Sequence, residues 1–266
     1  MNKRIQKIFK TKTKKLVTFV TGGDPNFEIS VNIIKKILES GSDLIEIGMP
    51  FSDPMADGPI IQFSSKRAIK KNIDLNKIFL IAKEIKKINK DVPIILMGYY
   101  NPIHFYGNKL FIKKCLSAGI DGLIIVDLQP EEDNELYKIA KYNNIDIIRL
   151  ITPTTDKKRL KIILSNASGF LYYVSITGVT GKNSADLKIL EKSIKSIKRY
   201  SSLPILVGFG IKNKFQAKKI SNFSDGVIIG SAVVSIIEKY FYNKINKTVM
   251  IKNISSFVKS IVRTIN

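Results

Sequence analysis

Short apolar runs rich in β-branched residues recur along the chain, each bounded by Gly, Pro or Asp. They span Leu16 to Thr21, Leu44 to Ile47, Ile94 to Met97, Leu123 to Val126, Ile147 to Leu150, Phe170 to Val174, Ile205 to Val207 and Val227 to Ile229. Most are continuous instead of alternating, which is the pattern of parallel strands covered on both faces. Helical spacing fills the intervals, as in Val31, Ile34, Ile37 and Leu38, then Ile78, Ile81, Ala82 and Ile85, then Leu187, Leu190, Ile194 and Ile197. Ser40-Gly41 and Ala118-Gly119 look like helix C-caps, and Asp91-Val92-Pro93 and Ser202-Leu203-Pro204 lead into strands. Strict β-then-α alternation with about eight repeats predicts a parallel sheet closed into a (βα)8 barrel, where an open doubly wound sheet has about five or six strands. Lys244 to Ile265 reads as an additional amphipathic helix on the outside.

The length of 266 residues suits one such barrel, which usually occupies ~250 residues, and no composition break marks a second domain, so residues 1–266 are expected to form one unit. Met1 to Lys15 is basic and polar with no apolar stretch behind it and does not read as a secretory signal. No apolar run reaches the ~18 residues that span a bilayer. The single cysteine, Cys115, has no internal disulfide partner and falls on a predicted helix, where a buried or half-buried thiol is expected. These features fit a reducing cytoplasm. The net charge of +22 raises nucleic acid or an acidic surface as a partner. The lysines, however, are spread over almost every predicted helix and rarely interleave with aromatic residues that could stack on bases, so they read as solvated helix faces.

In a barrel, chemistry belongs at the C-terminal strand ends and the loops after them. Glu46 lies near the end of the second strand between Ile45 and Ile47, where burial would raise its pKa toward neutrality and suit it to proton transfer; the alternative is an outward carboxylate paired with a helix lysine. The loop that follows holds Asp53 and Asp57 among Pro50, Pro54, Gly58 and Pro59. Either aspartate could be a turn-former, or one could reach over the barrel mouth as a second carboxylate in a different environment. Ser175 to Gly181 follows the sixth strand, Gly208-Phe209-Gly210 the seventh and Gly230-Ser231 the eighth. Small residues at three consecutive strand ends, with a helix N-terminus at the last, favour a phosphate site. His104, in NPIHFYG, reads as a solvated loop residue, and no His or Cys cluster has metal-ligand spacing.

These motifs meet a family. FVTGGDPN (Phe19 to Asn26), DLIEIGMPFSDPMADGPIIQ (Asp43 to Gln62), LMGYYNP (Leu96 to Pro102), GLIIVDLQPEE (Gly122 to Glu132), YYVSITGVTG (Tyr172 to Gly181) and GFGI (Gly208 to Ile211) resemble the tryptophan synthase alpha subunit in order and spacing over nearly the whole chain. The resemblance implies a lyase that splits indole-3-glycerol phosphate into indole and glyceraldehyde 3-phosphate. It makes Glu46 the general acid/base and Asp57 the carboxylate that binds the indole nitrogen. It places Phe19, Met97, Tyr99 and Ile124 around the indole, Tyr172 in the active site, Thr180 on a mobile loop, and Gly181, Phe209, Gly210, Gly230 and Ser231 at the phosphate. Met97 and Ile124 stand where leucines are common in the family. No metal or organic cofactor is implied. Pyridoxal phosphate is expected only in a partner beta subunit, which takes the indole within an α2β2 heterotetramer. Another phosphate-binding barrel would instead show a Schiff-base lysine or a catalytic histidine. A barrel that only activated its partner would have no use for both carboxylates.

Overall fold

A computed structural model describes residues 2–175, 184–208 and 210–266. Nine strands form one all-parallel sheet: β1 (Lys15–Thr21), β2 (Leu44–Gly48), β3 (Ile94–Gly98), β4 (Gly122–Ile125), β5 (Asp146–Ile147), β6 (Arg149–Ile151), β7 (Leu171–Val174), β8 (Ile205–Gly208) and β9 (Gly226–Ile229). Their order is β5-β4-β3-β2-β1-β9-β8-β7-β6. The two ends of that order, β5 and β6, are separated in the chain by Ile148 alone, so together they make one interrupted stave and the sheet curls into an eight-staved barrel. The single run expected from Ile147 to Leu150 is therefore broken at its second residue, where Ile148 turns its buried side chain into the barrel.

Parallel pairing fixes which residues face inward. Phe19 pairs with Glu46, Glu46 with Ile95, and Tyr172 with Leu206, so these side chains share one face of the sheet. Val17, Phe19, Leu44, Ile95, Met97, Ile124, Ile148, Phe170, Tyr172, Leu206 and Ile228 fill the interior as one apolar cluster. The alternate strand residues meet the helices outside in a second, larger cluster. Continuous apolar strands follow from this double burial.

Helices follow their local signals. Asn26, Asp74, Asp156 and Asn213 each accept a backbone N–H as N-caps, and Gly119 closes Asn108–Ala118 in the left-handed conformation at φ 76°. Cys115 lies buried on that helix, as expected. The final helix, Lys247–Ile265, packs a buried stripe from Met250 to Ile265 on the outside of the barrel.

One element was not anticipated and one expectation needs correction. The polar N-terminal stretch contains the helix Lys3–Phe9, which caps the bottom of the barrel: Ile5 is wholly buried in the interior cluster, and Phe9 stacks at 6.0 Å from Phe170. Two apolar positions among lysines are too weak a pattern to register as a buried face. NPIHFYG is likewise not a loop but the body of the helix Tyr100–Tyr106, which puts His104 on an exposed helical turn. Pro102 is tolerated there because it lies in the first turn, where no intrahelical N–H partner is needed.

Candidate active site

Glu46 sits on β2, all five residues of which are buried. Its side chain is 1% exposed, and neither carboxylate oxygen has a hydrogen-bond partner. No cation pairs with it among the described residues. Burial in apolar surroundings, reinforced by the charge of Asp57, pushes its pKa up to about 8. A buried carboxyl with no partner is costly, and a functional use is the usual reason for keeping one.

Asp57 ends the irregular segment after β2, and Gly58 then caps the helix Pro59–Lys70 with Pro59 at its first position. Tyr99, at the end of β3, fastens this segment twice: its hydroxyl accepts the Ala56 N–H at 3.0 Å and donates to Asp57 Oδ2 at 3.2 Å. Partial burial raises the Asp57 pKa to about 6 while the Tyr99 hydrogen bond opposes the rise. At neutral pH the two carboxyls thus differ: Glu46 keeps its proton and Asp57 is mostly ionised. Such a split provides an acid and an anion in one place.

Both carboxyls line one cleft at the C-terminal mouth of the barrel, together with Phe19, Met97, Tyr172, Gly210, Gly230 and Ser231. Tyr172 reaches in from β7, with its phenol held protonated by burial and by the charges of Glu46 and Asp57. Gly210 has φ +77°, a left-handed conformation that suits glycine. Gly230 precedes the helix Ser231–Phe241, whose N-terminus has no side-chain cap, and a Cβ on Gly230 would come within 3.2 Å of the Phe19 side chain. The helix start points positive charge at this part of the cleft, and no Lys or Arg lines it among the described residues.

Of the remaining expected residues, Tyr99 hydrogen-bonds Asp57, and Ile124 lies beside Met97 in the buried layer. Thr180, Gly181 and Phe209 lie outside the described residues. Gly208 has a different reason for being glycine than anion approach: a Cβ there would meet the Tyr172 hydroxyl at 2.3 Å, so its bareness makes room for that ring. Ile61, Ile211 and Ile228 also line the cleft and were not singled out from sequence. Strand periodicity could have found Ile228, which is two residues before Gly230 and faces inward. Ile61 and Ile211 depend on how a helix start and a loop fold back, which no local pattern reveals.

Comparison with known proteins agrees with this geometry. The family model for the tryptophan synthase alpha chain matches residues 5–263. The structure of tryptophan synthase subunit alpha from Legionella pneumophila is 35% identical, with a TM-score of 0.90 over 100% of this chain and 98% of that one. A structure of Mycobacterium tuberculosis tryptophan synthase is 27% identical, with a TM-score of 0.88 over 100% of this chain and 99% of that one. A family match over nearly the full length, and a solved relative above 30% identity superposing on the whole barrel, leave one assignment: the chain belongs to the tryptophan synthase alpha chain family, the lyases of the alpha reaction in tryptophan biosynthesis.

Proposed function

We propose that this chain cleaves indole-3-glycerol phosphate to indole and glyceraldehyde 3-phosphate by a retro-aldol reaction, with Glu46 and Asp57 as its reacting groups. The observation that carries the reading is the buried Glu46 carboxyl, without a hydrogen-bond partner, in the same cleft as Asp57, where burial raises the Glu46 pKa above that of Asp57. Indole departs poorly as a carbanion, so its C3 must be protonated first. Glu46 donates that proton, and its carboxylate then removes the proton from the glycerol hydroxyl as the C–C bond breaks. Asp57 accepts the indole N–H and stabilises the positive charge that grows on the ring when C3 is protonated. Phe19, Met97 and Tyr172 supply apolar walls for the indole, with Ile124 paired beside Met97 and Tyr99 holding Asp57 at the ring. Gly210, Gly230 and Ser231 receive the phosphate and fix the glycerol chain for cleavage, and Thr180, Gly181 and Phe209 complete this end by family resemblance. The cleft's described lining has neither lysine nor histidine, which counts against a Schiff-base aldolase or a histidine-dependent sugar-phosphate isomerase.

Indole passes to a beta subunit that holds the pyridoxal phosphate and condenses it with L-serine, in an α2β2 heterotetramer in the cytoplasm. Two features at the cleft's end support docking there. Met55, in the segment that ends at Asp57, is 80% exposed, and Phe105 on the helix after β3 is 93% exposed. Large apolar side chains in water beside a catalytic segment suit a partner surface. No helix of the described residues is long and apolar enough to cross a membrane. The test is to titrate purified beta subunit into a fixed amount of this chain and follow glyceraldehyde 3-phosphate release. The rate is expected to rise on the order of 100-fold, which needs only ~2.7 kcal/mol of tighter partner binding to the faster-cleaving state than to the slower one. No release at any beta concentration overturns the activity, and a flat, non-zero rate despite complex formation overturns activation by the partner.

A further inference from the structure

The Asp57 segment is held on a second side that neither its sequence nor its family resemblance singled out. Gln62 lies in the first turn of the helix Pro59–Lys70 and reaches back along it, so that Nε2 donates to the Asp57 carbonyl at 2.9 Å and to the Pro54 carbonyl at 3.5 Å. The helix is itself a firm anchor. Arg67 grips Asp24 through Nε and Nη2, both at 2.8 Å and both side chains buried, and also reaches Glu238 at 3.4 Å; Ser64 bonds Thr21 at the end of β1. Tyr99 holds Ala56 and the Asp57 carboxylate from the opposite wall. Three points of one irregular segment, at residues 54, 56 and 57, are therefore tied to two rigid elements.

We propose that Gln62 is a positioning residue for the alpha reaction: by clamping the Pro54 and Asp57 carbonyls it sets the backbone from which the Asp57 side chain reaches the cleft. Gln62 does not line the cleft, so it acts through Asp57 and not on substrate. The Gly58 N-cap gives the helix start no side-chain hydrogen bond, so without Gln62 the Asp57 carbonyl loses its side-chain anchor to the helix. Catalytic side chains need placement to within a fraction of an ångström, and a segment released at one of its two walls loses that.

The inference rests on Asp57 serving the cleavage proposed above. The test compares wild type with Gln62→Met, which keeps the volume and loses the donor, and Gln62→Asn, which keeps the amide and is one methylene too short. Steady-state cleavage is measured in the presence of beta subunit, alongside thermal unfolding. Both variants are expected to keep their melting temperature within a few degrees and their KM within about threefold, and to lose kcat by about 10-fold, ~1.4 kcal/mol. The titratable groups that face Glu46 are Asp57 and the Tyr172 phenol, and Asp57 raises its pKa. A displaced Asp57 therefore moves the alkaline limb of the kcat/KM profile to lower pH, and the unchanged melting temperature separates this from a general loosening that hydrates Glu46. In an Asp57→Asn background, Gln62→Met should add little further loss. Wild-type kcat in both variants, a defect confined to KM, or full additivity with Asp57→Asn overturns the proposal. If wild type itself releases no indole, the cleavage reading has failed instead.

Discussion

The cost of keeping Glu46 uncharged inside the barrel is measurable without any substrate. Its folded pKa is about 8 against an ordinary 4.5, so between those values the folded chain holds a proton that the unfolded chain has released. Stability therefore falls as pH rises through this window, the reverse of the usual salt-bridged carboxylate, and the loss is complete above the folded value. At 1.36 kcal/mol per tenfold change in proton affinity, the whole cost is roughly 5 kcal/mol, of which about 4 kcal/mol develops between pH 5 and pH 9. Glu46→Gln keeps the volume and removes the ionisation. Asp57, whose raised pKa of about 6 acts in the same direction, is common to both proteins, so the difference between them isolates Glu46. The assay is urea unfolding of wild type and Glu46→Gln across that pH range. The variant is expected to gain on wild type steadily as pH rises, with unchanged m-values. Parallel stability curves, differing by less than ~1 kcal/mol in their pH dependence, would show that the carboxyl is solvated or paired and that its burial does not set its protonation.

Asp57→Asn removes the charge that helps to hold the Glu46 proton, so the alkaline limb of the kcat/KM profile, expected near pH 8 in wild type, should move to lower pH while turnover drops severely; an unmoved limb means the two carboxyls do not sense each other. Gly210→Val puts a β-branched residue at φ +77° beside the proposed anion site and should weaken glycerol phosphate binding, measured by calorimetry; unchanged affinity places the anion elsewhere. Gly208→Ala drives a methyl into the Tyr172 ring and hydroxyl and should cost about 1–3 kcal/mol of stability by denaturant unfolding, with relief in a Tyr172→Leu background that removes the ring; equal losses in both backgrounds would show that the ring is not the obstacle.

Much of the barrel was legible because its signal is local. Eight apolar runs bounded by turn residues predicted the staves to within a residue or two, since strands buried on both faces leave no polar alternation to confuse the count. The break at Ile148 was not legible, because an interruption inside an apolar run changes no residue type. The helix Lys3–Phe9 was missed for a different reason: its role as a floor depends on Ile5 joining the interior cluster and Phe9 meeting Phe170, from distant parts of the chain. Glu46 could be nominated from its place in an apolar strand, but whether it pointed inward or out to a lysine rested on strand register, which the Phe19 and Ile95 pairings now fix. Asp53 and Asp57 were equivalent by pattern. The structure separates them, because only Asp57 lines the cleft and takes the Tyr99 hydroxyl, while Asp53 is exposed beside Ser52.

The central claim is that the Glu46 proton is the one moved to indole C3. The most direct measurement is single-turnover indole release from indole-3-glycerol phosphate by wild type and Glu46→Gln, each saturated with beta subunit. Removing an essential acid is expected to lower the rate by 10²-fold or more while glycerol phosphate affinity stays within a few-fold. A Glu46→Gln chain that releases indole within ~10-fold of wild type, only ~1.4 kcal/mol of barrier, would contradict the account.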